Sequence, residues 1–117
     1  MDETKRAISE TTDGKPPREG FEDRGAPSPI NPTTGQHESY WVLSKEERAK
    51  GFIRPVRRTY KHEKCGGVTS MGQSLAETYA RDPAYYGSTF CCNCKAHFPV
   101  GESGEFIWVD DGAKVGT

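Results

Sequence analysis

All four cysteines of the chain fall in two short pieces, His62-Glu63-Lys64-Cys65-Gly66-Gly67 and Cys91-Cys92-Asn93-Cys94, and no other feature constrains the fold as strongly. Each piece places two soft donors with two residues between them, His62-x2-Cys65 and Cys91-x2-Cys94, which is the spacing of a zinc knuckle. The glycines after Cys65 let the backbone turn back over a metal where a side chain would block the turn. Three sulfurs and one nitrogen make a complete tetrahedral set for Zn²⁺. The expectation is a small domain built on one structural zinc ion held by His62, Cys65, Cys91 and Cys94.

Other readings of these residues stay open at this level. His97, at Cys94-x2-His97, competes with His62 for the fourth position; the glycine turn favours His62 and leaves His97 on a hairpin, able to bond to a ligand sulfur. Cys92 is out of step with the ligand spacing and reads as a spare thiol facing the opposite side. Without a metal, Cys65, Cys91 and Cys94 would be buried free thiols. As a redox pair, Cys91-x2-Cys94 would need a helix start to lower its thiol pKa, yet strand-like residues flank it. Four protein ligands close a zinc site, whereas catalytic zinc keeps a position for water, and three thiolates make the metal a poor Lewis acid. No Glu beside a His pair, no Ser/His/Asp set and no phosphate-cradling glycine loop occurs. A thiol redox or zinc enzyme therefore ranks behind a non-enzymatic module.

The apolar residues are unevenly spread. Residues 1–39 hold five of the eight prolines and one of the twelve aromatics, Phe21, whereas residues 40–117 hold every cysteine and the other eleven aromatics. Residues 1–39 show neither a helical nor a strand period and read as a disordered tail, either a tether or a solvated segment. The 78 residues of 40–117 read as the folded domain, below the roughly 80 residues at which an apolar core alone suffices, so a metal staple is expected. No apolar run is long enough to cross a membrane and no secretory start is evident, which implies a reducing cytoplasm, where cysteines serve as metal ligands rather than disulfides.

Along 40–117, Tyr40-Trp41-Val42-Leu43 is an apolar run expected to pack on the domain. Ser44-Lys45-Glu46-Glu47 is a capping box that starts a short helix over 45–50, with Gly51 as its stop. Phe52 to Tyr60 reads as extended, with Pro55 confining it to an edge or a loop. Ser70-Met71-Gly72-Gln73 is a second capping box, and Met71, Leu75, Ala76, Tyr79 and Ala80 form one face of a helix over 71–81 that Asp82-Pro83 ends. Strands are expected at 88–90, 96–100 and 105–109, with a short one after Gly112. Knuckles feeding hairpins make this a small α+β zinc-ribbon-like domain with a helix inserted between its halves.

From Tyr40 onward the chain resembles a group of short proteins encoded by tailed bacteriophages and prophages. The likeness is carried by Cys65-Gly66, Leu75-Ala76-Glu77-Thr78-Tyr79-Ala80-Arg81-Asp82-Pro83, Phe90-Cys91 through Cys94, His97-Phe98-Pro99-Val100 and Gly101-Glu102. It covers about two thirds of the chain and implies a phage or prophage origin with action in the bacterial cytoplasm, but it brings no activity with it.

Charge narrows the partners. The chain is −1 overall, the tail carries five basic against eight acidic residues, and Lys45 to Lys64 concentrates eight basic against three acidic residues. Arg54, Arg57, Arg58, Lys61 and Lys64, with Phe52 and Tyr60 nearby, have the make-up of a phosphate-contacting edge, so a nucleic-acid-binding ribbon is the alternative. Near-neutral charge and an acidic tail favour a protein partner for a non-enzymatic zinc module; no membrane and no small-molecule substrate is indicated.

Overall fold

Four residues of strict alternation, Thr59-Tyr60-Lys61-His62, set the architecture around the metal-ligating pieces: Tyr60 and His62 point inward and are buried, while Lys61 points out. A computed structural model describes residues 9–20 and 26–117, and it divides between Lys50 and Gly51 into two compact units. The sequence places that boundary at residue 40; the structure gives Tyr40 to Lys50 to the N-terminal unit.

The N-terminal unit is built on a two-stranded antiparallel ladder of β1 (Ser9–Thr11) and β2 (Trp41–Leu43), with Glu10 opposite Val42. Val42 and Leu43 are buried. The apolar run at 41–43 thus finds its ladder partner in the preceding segment, Ser9–Thr11. Ser39 donates its N–H to Ser28 Oγ at 2.9 Å, and Ser28 Oγ donates back to the Ser39 carbonyl at 3.2 Å, both residues being buried. Helix α1 (Lys45–Arg48) is shorter than expected, but its cap is as read: Ser44 Oγ accepts from the Glu47 N–H at 3.2 Å. A carboxylate also serves this helix end, since Glu10 Oε1 accepts from the Lys45 N–H at 2.8 Å. Of the expected disordered tail, residues 1–8 and 21–25, Phe21 included, lie outside the described residues.

The C-terminal unit contains a three-stranded antiparallel sheet, a separate two-stranded hairpin and one helix. Strand β3 (Thr59–His62) turns at His62–Gly67 into β4 (Val68–Ser70), with Lys61 opposite Val68. On its other edge β3 pairs with β7 (Phe106–Trp108), His62 opposite Phe106. Strand β5 (Ser88–Cys91) turns at Cys91–Ala96 into β6 (Ala96–Pro99). Each metal-ligating piece is therefore the turn of a hairpin. The strand expected after Gly112 is reduced to a single bridge between Ile107 and Lys114.

Helix α2 (Gln73–Arg81) joins the two hairpins. It buries Ala76, Tyr79 and Ala80, three residues of the expected face, together with Thr78. Its start differs from the sequence reading: Gly72 is the cap and offers no side-chain bond, because Ser70 is already the last residue of β4, its hydroxyl 3.0 Å from that of Thr59. Ladder pairing has outcompeted the local cap. At the far end Asp82 leaves helical geometry before Pro83, as the proline requires.

Tyr60, Met71, Ala76, Tyr79, Cys91, Phe106, Trp108 and Val115 form the core. Tyr60 links sheet to hairpin. Its ring meets Phe106 and Trp108 edge-on, and its hydroxyl donates to the Phe90 carbonyl at 2.6 Å, which satisfies the polar end of a buried aromatic. Among the described residues no helix is long and apolar enough to cross a membrane.

Candidate metal centre

The two hairpin turns face each other and bring four donor atoms together. His62, Cys65, Cys91 and Cys94 each offer one ligand atom, and these atoms all lie within 4.8 Å of one another. The sulfurs of Cys65 and Cys91 are 3.5 Å apart, and His62 Nδ1 is 3.2 Å from Cys65 Sγ and 3.7 Å from Cys94 Sγ. A tetrahedron with metal–sulfur bonds of about 2.3 Å and a metal–nitrogen bond of about 2.0–2.1 Å has sulfur–sulfur edges of about 3.8 Å and nitrogen–sulfur edges of about 3.5 Å. These three separations match those edges to within a few tenths of an ångström, and with all four atoms within 4.8 Å of one another the arrangement is consistent with one metal ion.

The backbone of each turn is shaped for this. In the first, the Gly66 N–H donates to the His62 carbonyl at 2.7 Å, the His62 N–H donates to the Gly67 carbonyl at 2.9 Å, and the Gly67 N–H donates to Cys65 Sγ at 3.2 Å. Gly66 has φ +76, and a Cβ on Gly67 would come within 2.6 Å of Asn93 Cβ, so the first needs glycine for its backbone and the second for its space. In the second turn the Lys95 N–H donates to the Cys91 carbonyl at 2.8 Å and the Cys94 N–H to Cys91 Sγ at 3.4 Å. Lys95 takes the left-handed conformation, φ +56, that glycine takes after Cys65.

His62 and Cys91 are buried, while Cys65 and Cys94 face solvent. The His62 ring is held between Phe98, with centroids 4.5 Å apart, and Phe106 at 4.8 Å, both nearly parallel to it. Its Nδ1 points at the sulfurs and its Nε2 lies 2.8 Å from Glu105 Oε1. Burial would lower the His62 pKa, but the hydrogen bonds to Glu105 and Cys65 outweigh it and raise it above the ordinary imidazole value. The same bond holds the Glu105 carboxyl below its ordinary range.

Electrostatics inside the cluster call for a cation. The Asn93 side chain and the Gly67 N–H bring the Cys65 thiol down to about 6. Burial, and then the neighbouring Cys65 and Cys91, push Cys94 up to about 11. Three thiols this close cannot all ionise unless positive charge sits among them, and a divalent metal held there would supply it.

The remaining candidates fall outside the cluster. His97 lies opposite Phe90 on the β5–β6 ladder, their rings 5.4 Å apart, so His62 and not His97 supplies the nitrogen. Cys92 turns toward β4, its thiol donating to the Val68 carbonyl at 3.2 Å and its N–H to Thr69 Oγ1 at 3.1 Å. Cys91 ends a strand and does not open a helix, so the setting that activates a redox cysteine is missing at this pair. Glu105 is the site residue that sequence reading missed. It is 43 positions from His62 and reads only as the first residue of the expected strand 105–109.

The five basic residues do not form one free edge. Arg57 is buried, its NH1 2.8 Å from Asp111 Oδ2 and its guanidinium 4.9 Å from the centre of the Trp108 ring, which takes it out of the set available to a phosphate. Arg54 donates to the carbonyls of Thr117 and Ile53, and Arg58 Nε to that of Met71. Lys64 lies 3.5 Å from Glu105, and Lys61 stands exposed on the outer face of the sheet.

The chain matches no protein-family model, no curated protein and no solved structure.

Proposed function

We propose that residues 51–117 are a zinc-ribbon-like, non-enzymatic binding module, encoded by a phage or prophage, in which one structural zinc ion ties two hairpins together and the outer surface docks on a protein partner in the bacterial cytoplasm. The convergence of His62 Nδ1 with the sulfurs of Cys65, Cys91 and Cys94 carries the zinc part of this reading. Soft thiolates with one imidazole in tetrahedral spacing suit zinc better than they suit the hard oxygen-seeking cations. Four protein donors leave no open position for water, which argues for a structural ion.

The surface supports a protein partner. Val68 on β4, Val109 in the turn just after β7, and Phe52 and Ile53 beside Gly51 are each about half exposed, the kind of apolar surface another protein covers. With Arg57 buried and Lys64 beside Glu105, the phosphate-binding alternative loses much of its charge.

Two experiments test the reading. Cys91→Ser should abolish metal uptake and folding of 51–117 together, while Cys92→Ser should leave both intact; a folded, metal-replete Cys91→Ser chain contradicts the ligand assignment. Titration with single- and double-stranded oligonucleotides between about 50 and 200 mM salt should show no tight, steeply salt-dependent binding. Tight binding lost in Lys61→Ala and Lys64→Ala would move the module to the nucleic-acid class.

A further inference from the structure

We propose that Glu105 is a positioning residue for the metal: it fixes the His62 tautomer and strengthens its Nδ1 as a donor. This rests on the zinc reading above. A neutral imidazole carries its single N–H on one of two nitrogens, and only the bare nitrogen can bind a metal. The carboxylate of Glu105 accepts a hydrogen bond and cannot donate one when ionised, so at 2.8 Å it selects the tautomer with the proton on Nε2. That leaves Nδ1 bare, aimed at the sulfurs of Cys65 and Cys94. The negative charge behind the ring also raises the basicity of Nδ1.

Phe98 and Phe106 cover the two faces of the imidazole and fix its plane, but neither can tell one nitrogen from the other. Glu105 is itself well placed for the task. Its carbonyl accepts from the Glu63 N–H at 2.9 Å, tying its backbone to the first metal-ligating turn, and Lys64 of the same turn lies 3.5 Å from its second carboxylate oxygen. It directly precedes β7, whose Phe106 is in register with His62, so the ladder that builds the sheet also delivers the carboxylate to Nε2.

The test is Zn²⁺ affinity of the full chain against a competing chromophoric chelator, with Co²⁺ absorption and the imidazole nitrogen and Nε2–H proton resonances of His62 as further readouts. Glu105→Ala should lower zinc affinity about 10- to 100-fold and bring the Nε2–H proton into fast exchange with water. Glu105→Gln keeps an acceptor at Nε2 without the charge, a bond about half as strong, so it should keep the tautomer and lose a smaller part of the affinity. Glu105→Asp should recover more affinity than Ala does. If Glu105→Ala binds zinc as tightly as the natural chain, with His62 resonances unchanged, the positioning role is overturned while the zinc reading stands. A natural chain that takes up no zinc overturns both.

Discussion

At the scale of single residues, the two turns solve one geometric problem with different side chains. After Cys65 the left-handed position is filled by Gly66, φ +76; after Cys94 it is filled by Lys95, φ +56. A side chain in that conformation costs roughly 1–2 kcal/mol, and glycine's extra freedom in the unfolded chain returns part of the gain. Lys95→Gly should therefore stabilise the C-terminal unit by up to about 1 kcal/mol, read as a higher denaturant midpoint of the metal-loaded protein; a lower midpoint would mean that the lysine makes a compensating contact. The four converging donors were legible because two-residue spacing and a following glycine are local signals. Glu105 was not, since only the β3–β7 register brings it to His62. Nor was the fate of Arg57, which the ring of Trp108 and the carboxylate of Asp111 draw into the interior from a stretch that reads as a charged surface.

At the scale of elements, β7 was readable from its alternation and α2 from its apolar face, whereas β3 was not, since only its first two residues fell in the stretch 52–60 read as extended. Where the sequence misled, an element had two options and the signal reported only one of them. Trp41–Leu43 is plainly apolar, but its partner is Ser9–Thr11, three residues with no strand signature of their own. Ser70 has the chemistry of a helix cap but is held in a ladder with Thr59. Phe106 is the residue on which strand and site depend together: fully buried, it packs on Tyr60 and covers one face of the His62 ring. Truncating such a side chain costs about 3–5 kcal/mol. Phe106→Ala should lose that much stability in the metal-loaded form and weaken zinc binding as well, because the imidazole is no longer clamped. Full zinc affinity in a destabilised Phe106→Ala protein would separate the core from the site.

At the scale of the whole molecule, the proposed zinc site makes the fold of 51–117 depend on its ion. Structural zinc contributes about 10–16 kcal/mol in small zinc-finger peptides, while small domains are stable by about 5–15 kcal/mol in total. Losing the metal is enough to unfold a unit of this size. Acid should do the same. A metal held by the four converging donors would bind three deprotonated thiols and one bare imidazole, so protons would compete for all four and affinity would fall as pH falls. Below the ordinary histidine pKa of about 6.5 the slope should approach four protons per ion, and loss of metal and loss of structure should coincide. A shallow, single-proton slope would mean that fewer than four of these side chains are ligands. The measurement that bears most directly on the account is the metal content of the purified chain by native mass spectrometry, paired with far-ultraviolet circular dichroism before and after chelation. One zinc ion per chain, with structure lost on chelation and regained on adding zinc, is the predicted result. A metal-free chain that keeps its helix and strands would contradict it.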